Sequence, residues 1–219
     1  MSQTFDLELT RLRREFTAHA STCFEALERA CEILRTRDTR MAHAVVEGDA
    51  RVDQTEVQIE AEVVRLITLH HPVAHDMRLL VTMLKLNYDL ERIADHAHNL
   101  AWLARRIILR GGQIPQHVLD LADGVVRNAR AVFQAFLDQD LQAARGVVQG
   151  DADVDRLDKT VRHEVHGLLS AHGEVSSALD AFRISRELER VGDHLANMAE
   201  ETIFLITGEI VRHAPLTAR

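Results

Sequence analysis

The amino-acid sequence predicts an all-α protein made of two tandem, antiparallel three-helix bundles that are related by internal duplication. Its 219 residues include only three prolines and ten glycines, and helix-favouring residues such as Ala, Leu, Arg and Glu dominate the composition. Apolar residues recur at spacings of three and four over long segments, which is the period of a helix with one buried face. Whole stretches of the first half also return in the second half.

Two such stretches recur without a gap. Residues 89–101, DLERIADHAHNLA, return 98 positions later as ELERVGDHLANMA in residues 187–199. Residues 45–56, VVEGDARVDQTE, return 102 positions later as VVQGDADVDRLD in residues 147–158. A repeat of this kind indicates two copies of one structural unit.

The first unit is predicted to contain three helices, at about residues 6–35, 38–69 and 73–110. Asp38 is a candidate N-cap for the second helix, and Pro72 separates the second helix from the third because proline cannot continue a helix. Short connections between the helices favour antiparallel neighbours.

The pair Gly111-Gly112 is the clearest boundary in the chain, because consecutive glycines interrupt helices. We therefore expect one unit in residues 1–110 and a second in residues 113–219. The same plan restarts after the boundary, with helices predicted at about residues 115–138, 141–171 and 175–206.

The net charge and the two cysteines limit which functions and which cellular location we expect for the chain. The net charge of -8 argues against a protein that binds nucleic acid through its whole surface. Cys23 and Cys31 lie eight residues apart on one predicted helix, about 12 Å, which is too far for a disulfide. The chain has neither a signal-peptide apolar run nor a stretch of transmembrane length, so we expect a reduced, cytoplasmic protein.

Acidic side chains flank the apolar stripe on the second and third helices of each unit. On a helix, carboxylates at positions i and i+4 share one face, a turn apart. The candidates in the first unit are Asp49, Asp53, Glu56 and Glu60 on the second helix, with Glu91 and Asp95 on the third; those in the second unit are Asp151, Asp155 and Asp158, with Glu189 and Asp193.

Two interpretations of these acids stay open. They are solvated surface charges that pair with Arg92, Arg190 or Lys85, in which case they contribute little to stability. Alternatively, two acidic stripes face each other within a bundle, where four or more carboxylates repel unless protons or a cation neutralise them. Oxygen ligands suit Mg²⁺, Ca²⁺ or Mn²⁺, and iron is compatible with carboxylate and histidine ligands.

Histidine follows the second acid of each repeated stretch, at His96 and His194. An adjacent helical residue points about 100° away, so these side chains need not join the same ligand set. Neither stretch has the Glu-x-x-His signature of di-iron bundles. The sequence also lacks a phosphate-binding glycine loop, a nucleophile elbow, a Cys-x-x-Cys pair and a catalytic triad motif, so no catalytic machinery is predicted.

Residues 71–101, HPVAHDMRLLVTMLKLNYDLERIADHAHNLA, closely resemble the signature of the PhoU family of phosphate-specific transport accessory and regulatory proteins. Residues 183–201, RISRELERVGDHLANMAEE, resemble the second signature of that family. The order of the elements also matches, so the resemblance covers nearly the whole chain. One departure is Ala94, where the family usually has glycine; Gly192 keeps the glycine in the second copy.

The resemblance implies a PhoU-like pair of three-helix bundles and multinuclear metal sites with the Glu/Asp-x-x-x-Asp motif. Four pairs in this chain meet that motif: Glu91 with Asp95, Glu189 with Asp193, Asp49 with Asp53, and Asp151 with Asp155. The expected ions are divalent or trivalent metals, namely iron, zinc, manganese or magnesium.

The resemblance also implies a non-enzymatic regulator of phosphate uptake and signalling, often a homodimer. Its partners would be the ATPase of the phosphate ABC transporter and the phosphate sensor histidine kinase, through which it would reach the membrane. Two other hypotheses remain: a metal-dependent enzyme with carboxylate ligands, for example one that hydrolyses phosphoesters, and a purely structural helical adaptor.

Overall fold

The computed structural model describes residues 3–47, 49–170 and 175–211, except for the side chains of residues 49, 50, 151–155, 162–170 and 175. The described residues form helices and connections and contain no strand, which confirms the all-α prediction. The helices are α1 (Gln3–Thr36), α2 (Thr39–Glu47), α3 (Asp49–His70), α4 (Ala74–Leu109), α5 (Gln116–Asp138), α6 (Leu141–Ser170) and α7 (Val175–Thr207).

The observed helix bounds agree closely with those predicted, with one difference. The second predicted helix corresponds to two helices, α2 and α3. The residue at position 48, between them, lies outside the described residues. It is a glycine in the sequence, and glycine is unfavourable in the interior of a helix. The connection between α4 and α5 contains the predicted boundary at positions 111 and 112, and the division into units 1–110 and 113–219 stays a prediction.

The second helical segment of each unit begins with the same aspartate cap. Asp38 Oδ1 accepts hydrogen bonds from the backbone N–H groups of Arg40 and Met41, at 2.8 and 3.1 Å. Asp140, 102 positions later, caps α6 in the same way through the N–H groups of residues 142 and 143, at 2.9 and 3.0 Å. An aspartate at this position satisfies donors that have no partner within the helix. The caps therefore fix two short chain reversals at equivalent places in the two units.

The two units meet along α4 and α7, which pack against each other in opposite directions. Four side-chain contacts join the two helices: Lys85 with Glu201, Asp89 with His194, His96 with Glu187, and Arg106 with Asp180. As the residue number rises along α4, the number of its partner on α7 falls. The last helix of each predicted unit is therefore antiparallel to that of the other unit.

The first helices of the two units form a second seam, between α1 and α5. Phe16 lies against Phe136 and Phe24 against Phe133, with ring centroids 5.4 and 5.2 Å apart. Around the inner helices, α2 and α3 pack on α1 and α4, while α6 packs on α5 and α7. One cluster of buried side chains draws on all seven helices, so the units share a hydrophobic core.

No helix among the described residues has the length and apolar character needed to cross a bilayer.

Gly112 occupies a tight place in the connection between the units. Its N–H donates to the carbonyl oxygen of Ile107 at 3.0 Å, and its own carbonyl oxygen accepts from Arg37 Nη2 at 2.9 Å. A Cβ atom at this position would overlap the hydroxyl oxygen of Ser177 on α7 and crowd the side chain of Ile107. Glycine here allows the connection to lie directly on α7.

We predict that Gly112→Ala lowers the free energy of unfolding by about 1–3 kcal/mol, the usual cost of forcing extra volume into a packed position. Gly146→Ala is the matched control, because Gly146 is exposed within α6 and a Cβ there meets nothing within 4 Å. The control should gain about 0.5–1 kcal/mol from the better helix propensity of alanine. Urea denaturation followed by circular dichroism measures both values, and equal effects at the two positions would contradict the packing described.

Candidate metal centre

Three carboxylates from two helices converge beside the middle of α4. Asp53 on α3 and Glu91 and Asp95 on α4 each offer one oxygen atom, and these three oxygens lie within 4.8 Å of one another. Beside them, Asn87 Nδ2 donates to the backbone carbonyl of Glu56 at 2.9 Å, which holds α3 against α4. The structure thus brings together three acids that the sequence places 42 positions apart at most.

The charges of these acids disfavour one another. The pKa of Glu91 is raised above its ordinary value, first by burial and next by the charge of Asp95, with smaller contributions from Asp53 and Glu56. The pKa of Glu56 is also raised, by burial and then by the charges of Glu60 and Asp53. The charge of Glu56 therefore interacts with the charges of Asp53 and Glu91, although Glu56 is not one of the three converging carboxylates.

Arg92 is the positive charge closest to this group. Its Nη1 donates to Asp95 Oδ2 at 3.2 Å, and its Nε lies 2.6 Å from Glu91 Oε2, an ion pair without the alignment of a hydrogen bond. The guanidinium also lies over the ring of Tyr88, 5.3 Å from its centroid. The salt bridges that the surface interpretation expected with Arg92 are therefore present. Burial and the charges of the neighbouring carboxylates together outweigh them, so the pKa of Glu91 stays raised.

In the second unit, a different arginine contacts the acids. Arg186 Nη1 donates to Glu189 Oε1 at 2.9 Å and lies 3.9 Å from Oδ2 of the fully buried Asp158. The second oxygen of Glu189 is buried and has no hydrogen-bond partner among the described residues. Arg190, which was expected to pair with the metal-ligand candidates, lies 3.9 Å from Glu187.

The remaining candidates divide into two groups. Asp193 is exposed on α7, and within the described part of the chain the second unit has no three acids as close together as those of the first. The side chains of Asp49, Asp151 and Asp155 lie outside the described residues. The ligand set of the second unit stays a prediction.

The first centre fits a hard cation. Its converging donors are all carboxylate oxygens, the type that Mg²⁺, Mn²⁺ and Ca²⁺ prefer, and Asp53 leaves it open to solvent on one side. Because burial and mutual repulsion destabilise the charged form of Glu91, a bound cation would relieve an unfavourable interaction that Arg92 relieves only in part. Asp53, Glu91 and Asp95 are the residues that would hold the ion.

Ala94, the departure from the family pattern, is buried next to this centre. It lines a cavity of about 130 Å³ between α1 and the helices α2 and α3, together with Val52 and Thr22. The additional methyl group therefore lies beside open volume in this structure.

The histidines of the repeated stretches bind acids of the opposite unit. His96 Nδ1 lies 2.7 Å from Glu187 Oε2, and His194 Nδ1 lies 2.8 Å from Asp89 Oδ1. The two imidazole rings are 5.7 Å apart. Both pairs are related by the same shift of 98 positions, so they are equivalent contacts of the two repeats. Burial alone would raise the pKa of Glu187, but the hydrogen bond and charge of His96, together with smaller contributions from Asn99 and Arg190, lower that pKa.

The sequence analysis missed these four residues as a group. A signal was nevertheless present, since each repeated stretch begins with an acid seven residues before its histidine, at Asp89 and Glu187. A spacing of seven places both side chains on one face of a helix, two turns apart. That face is the one turned toward the other unit.

The fold and the centre together define a duplicated all-α protein with acidic groups beside its core. The family description "PhoU domain" matches residues 18–104 and again residues 118–202, one match in each repeat. The chain belongs to the PhoU family.

Similar proteins extend over nearly the full length of the chain. A protein from Pseudomonas putida, described as a phosphate-specific transport system accessory protein PhoU homolog, is 34% identical over 99% of this chain and 86% of its own length. A Thermotoga maritima protein, described as homolog 1 of the same accessory protein, is 31% identical over 94% and 90%. The crystal structure of PhoU from Pseudomonas aeruginosa superposes with a TM-score of 0.89 at 31% identity, covering 94% of this chain and all of that one.

We predict that Glu91→Gln raises the melting temperature of chelator-treated protein at pH 7. The pKa of Glu91 is raised in the folded state, so above that pKa the charged side chain destabilises the fold, and glutamine removes the cost. The gain should shrink as the pH falls from the folded-state pKa toward the ordinary value, because the wild-type carboxyl then takes up a proton. Circular dichroism melts between pH 4 and 8 measure the effect.

The control for this substitution is Glu25→Gln. Glu25 is an exposed acid of α1 with an arginine partner at 3.7 Å, and it should change the melting temperature little at any pH. A Glu91→Gln protein that is less stable than wild type at pH 7 would show that the Arg92 contact outweighs burial and repulsion.

Proposed function

We propose that this protein is a non-enzymatic regulator of phosphate uptake and phosphate-starvation signalling. The observation that carries the proposal is the match of the PhoU domain to both repeats, together with relatives that are named accessory proteins of the phosphate-specific transport system. That description is of accessory proteins rather than enzymes, which supports a role in control rather than in turnover.

In this proposal the protein acts in the cytoplasm and links the ATPase of the phosphate ABC transporter to the phosphate sensor histidine kinase. It reaches the membrane only through these partners, and it acts as a homodimer without contact to nucleic acid. Long antiparallel helices support such a role because they offer extended faces to other helical proteins. Weak and reversible docking suits a signalling partner, whose interface need not be large.

The acidic centres bind divalent or trivalent metal ions in this proposal. Support comes from the convergence of Asp53, Glu91 and Asp95 and from the raised pKa of Glu91. The corresponding ligands of the second unit are Glu189 and Asp193 with Asp151, Asp155 and Asp158, and Asp49 and Glu56 complete the set of the first unit.

Replacing Glu91 and Asp95 together by alanine should lower the metal content of the purified protein by about the share of one unit. The protein is purified without chelator or metal-affinity resin, and iron, zinc, manganese and magnesium are measured by mass spectrometry. Chelator should also lower the melting temperature of wild type, because a ligand at a hundredfold excess over its Kd stabilises by about 2.7 kcal/mol.

A matched control carries alanine at Glu25 and Glu32, two exposed acids of α1 outside the centre. This control should retain the metal content and the chelator response of wild type. Equal metal uptake by wild type and by a variant that lacks Glu91, Asp95, Glu189 and Asp193 would show that the assigned ligands are wrong.

The regulatory role predicts a phenotype for a strain from which the gene is deleted. Phosphate-responsive genes should stay active in phosphate-rich medium, since the link that reports sufficiency is missing, and the wild-type gene should restore repression. A reporter fused to a phosphate-responsive promoter measures the effect. Normal repression in a deletion strain without a second copy of the family would refute the proposed role.

The same strain separates the metal from the regulatory role. A variant with alanine at Glu91, Asp95, Glu189 and Asp193 that folds but does not restore repression would link the metal to signalling. Full restoration by that variant would limit the metal to a structural role and would leave the regulatory proposal intact.

A further inference from the structure

A cluster of arginines lies at the end of the molecule where α4 ends and α7 begins. Arg106 extends from the last turn of α4, Arg110 is the C-cap residue directly after it, and Arg183 extends from the third turn of α7. The cluster is about 16 to 22 Å along α4 from Asp95, at 1.5 Å per residue, so it is separate from the acidic centre.

The three guanidinium groups face a single carboxylate. Asp180 is buried, with only 2% of its side chain exposed, and its Oδ2 lies 3.1 Å from Arg110 Nη1 and 3.4 Å from Arg106 Nη2. Its Oδ1 lies 3.7 Å from Arg183 Nη1. Among the side chains that the structure describes here, three positive charges surround one negative charge, a local surplus of two in a chain whose net charge is -8.

Neighbouring groups hold these arginines in place. The guanidinium of Arg106 lies over the indole of Trp102, 4.5 Å from the ring centroid. Arg110 Nη1 also donates to Ser176 Oγ at 2.6 Å. Each guanidinium has five N–H donors in a planar fork, and the contacts described use only part of them. The arginine side chains remain 28 to 59% exposed, so the other donors can reach a ligand from solvent.

One arginine is enough to form a structural ion pair with a buried carboxylate, whereas Asp180 has three. A second, doubly charged oxyanion would balance the surplus, and guanidinium groups match the oxygens of a phosphoryl group through paired hydrogen bonds. Other described acids toward this end have their own contacts: Asp123 pairs with Arg35, Asp120 accepts a hydrogen bond from Gln116, and Asp38 caps α2.

We propose that Arg106, Arg110 and Arg183 form a binding site for a phosphate group. The ligand is either inorganic phosphate or the phosphate of an anionic lipid headgroup, since both present the same oxygens to the guanidinium groups. Asp180 and Trp102 position the arginines and do not contact the ligand. This site depends neither on metal in the acidic centre nor on the proposed regulatory role.

The primary test is equilibrium dialysis of the full-length protein with radiolabelled inorganic phosphate, at constant ionic strength set with chloride. Saturable binding is expected in wild type. Arg110→Gln with Arg183→Gln should weaken it by about tenfold or more, because a hydrogen bond to a charged group contributes on that scale. Trp102, the single tryptophan of the chain, supplies a second readout through its fluorescence.

The matched control is Arg11→Gln with Arg130→Gln, which removes two exposed arginines of α1 and α5 that each pair with one glutamate. It should bind phosphate as wild type does. If the double glutamine variant at positions 110 and 183 loses its helical circular dichroism signal, Arg110→Lys with Arg183→Lys decides the question. That variant retains the charges around Asp180 but loses the planar forks, and it should bind more weakly with an unchanged melting temperature.

Sedimentation with vesicles of phosphatidylcholine, with or without phosphatidic acid, distinguishes the sources of the phosphate. Arginine-dependent binding to inorganic phosphate identifies the free ion, and arginine-dependent binding only to phosphatidic acid vesicles identifies the lipid headgroup. Absence of saturable wild-type binding to either probe overturns the proposal. Equal binding by wild type and the variant altered at positions 110 and 183 overturns it as well, because the phosphate then binds elsewhere, for example at metal in the acidic centre.

Discussion

The antiparallel packing of α4 on α7 determines where the other functional groups lie. Each of these helices turns an acid and a histidine toward the other, which gives the reciprocal pairs of His96 with Glu187 and His194 with Asp89. Glu91 lies two positions after Asp89 and Asp95 one position before His96, and such residues point about 200° and 100° away on a helix. Glu91 and Asp95 consequently leave the α4–α7 seam and meet Asp53 on α3. Packing between the units thus orients the carboxylates within the first unit.

Charge is distributed unevenly along α4. Carboxylates accumulate near its middle, where Glu91 bears a raised pKa, and arginines accumulate at its end around Asp180. Cations are favoured near the C-terminus of a helix because carbonyl groups point outward there. The two regions therefore attract ligands of opposite sign, although they are built on the same helix and share its rigidity.

Local patterns in the sequence were sufficient to predict the helices and part of the candidate metal centre. Asp38 was predicted as a cap and is one, and the spacing of four predicted that Glu91 and Asp95 share one face of α4, where the structure also places Asp53. Helical periodicity shows which face of a helix is buried but not which helix covers it. The seams of α1 with α5 and of α4 with α7 join residues far apart in the chain, so they could not be derived from spacing.

The acids of the two repeats also differ in the arginine that contacts them, which the similarity of the repeats does not show. Position 88 is Tyr88 in the first unit, and its equivalent 98 positions later is Arg186. In the first unit Arg92 contacts Glu91 and Asp95 from a position between them, whereas in the second unit Arg186 contacts Glu189 from the preceding turn. An alignment of the repeats shows this substitution, but only side-chain geometry shows which arginine reaches the carboxylates.

The two histidine–acid pairs are equivalent, so the contact between the repeats has the symmetry of a dimer. A single repeat would carry its acid and its histidine on one face of its last helix, with no unit of its own chain to receive them. Two identical copies, related by a twofold axis between the imidazole rings, would satisfy both through the same contacts that now lie within one chain. The contact between the two repeats is therefore the one that a symmetric dimer of a single repeat would make, and it is contained here within one chain.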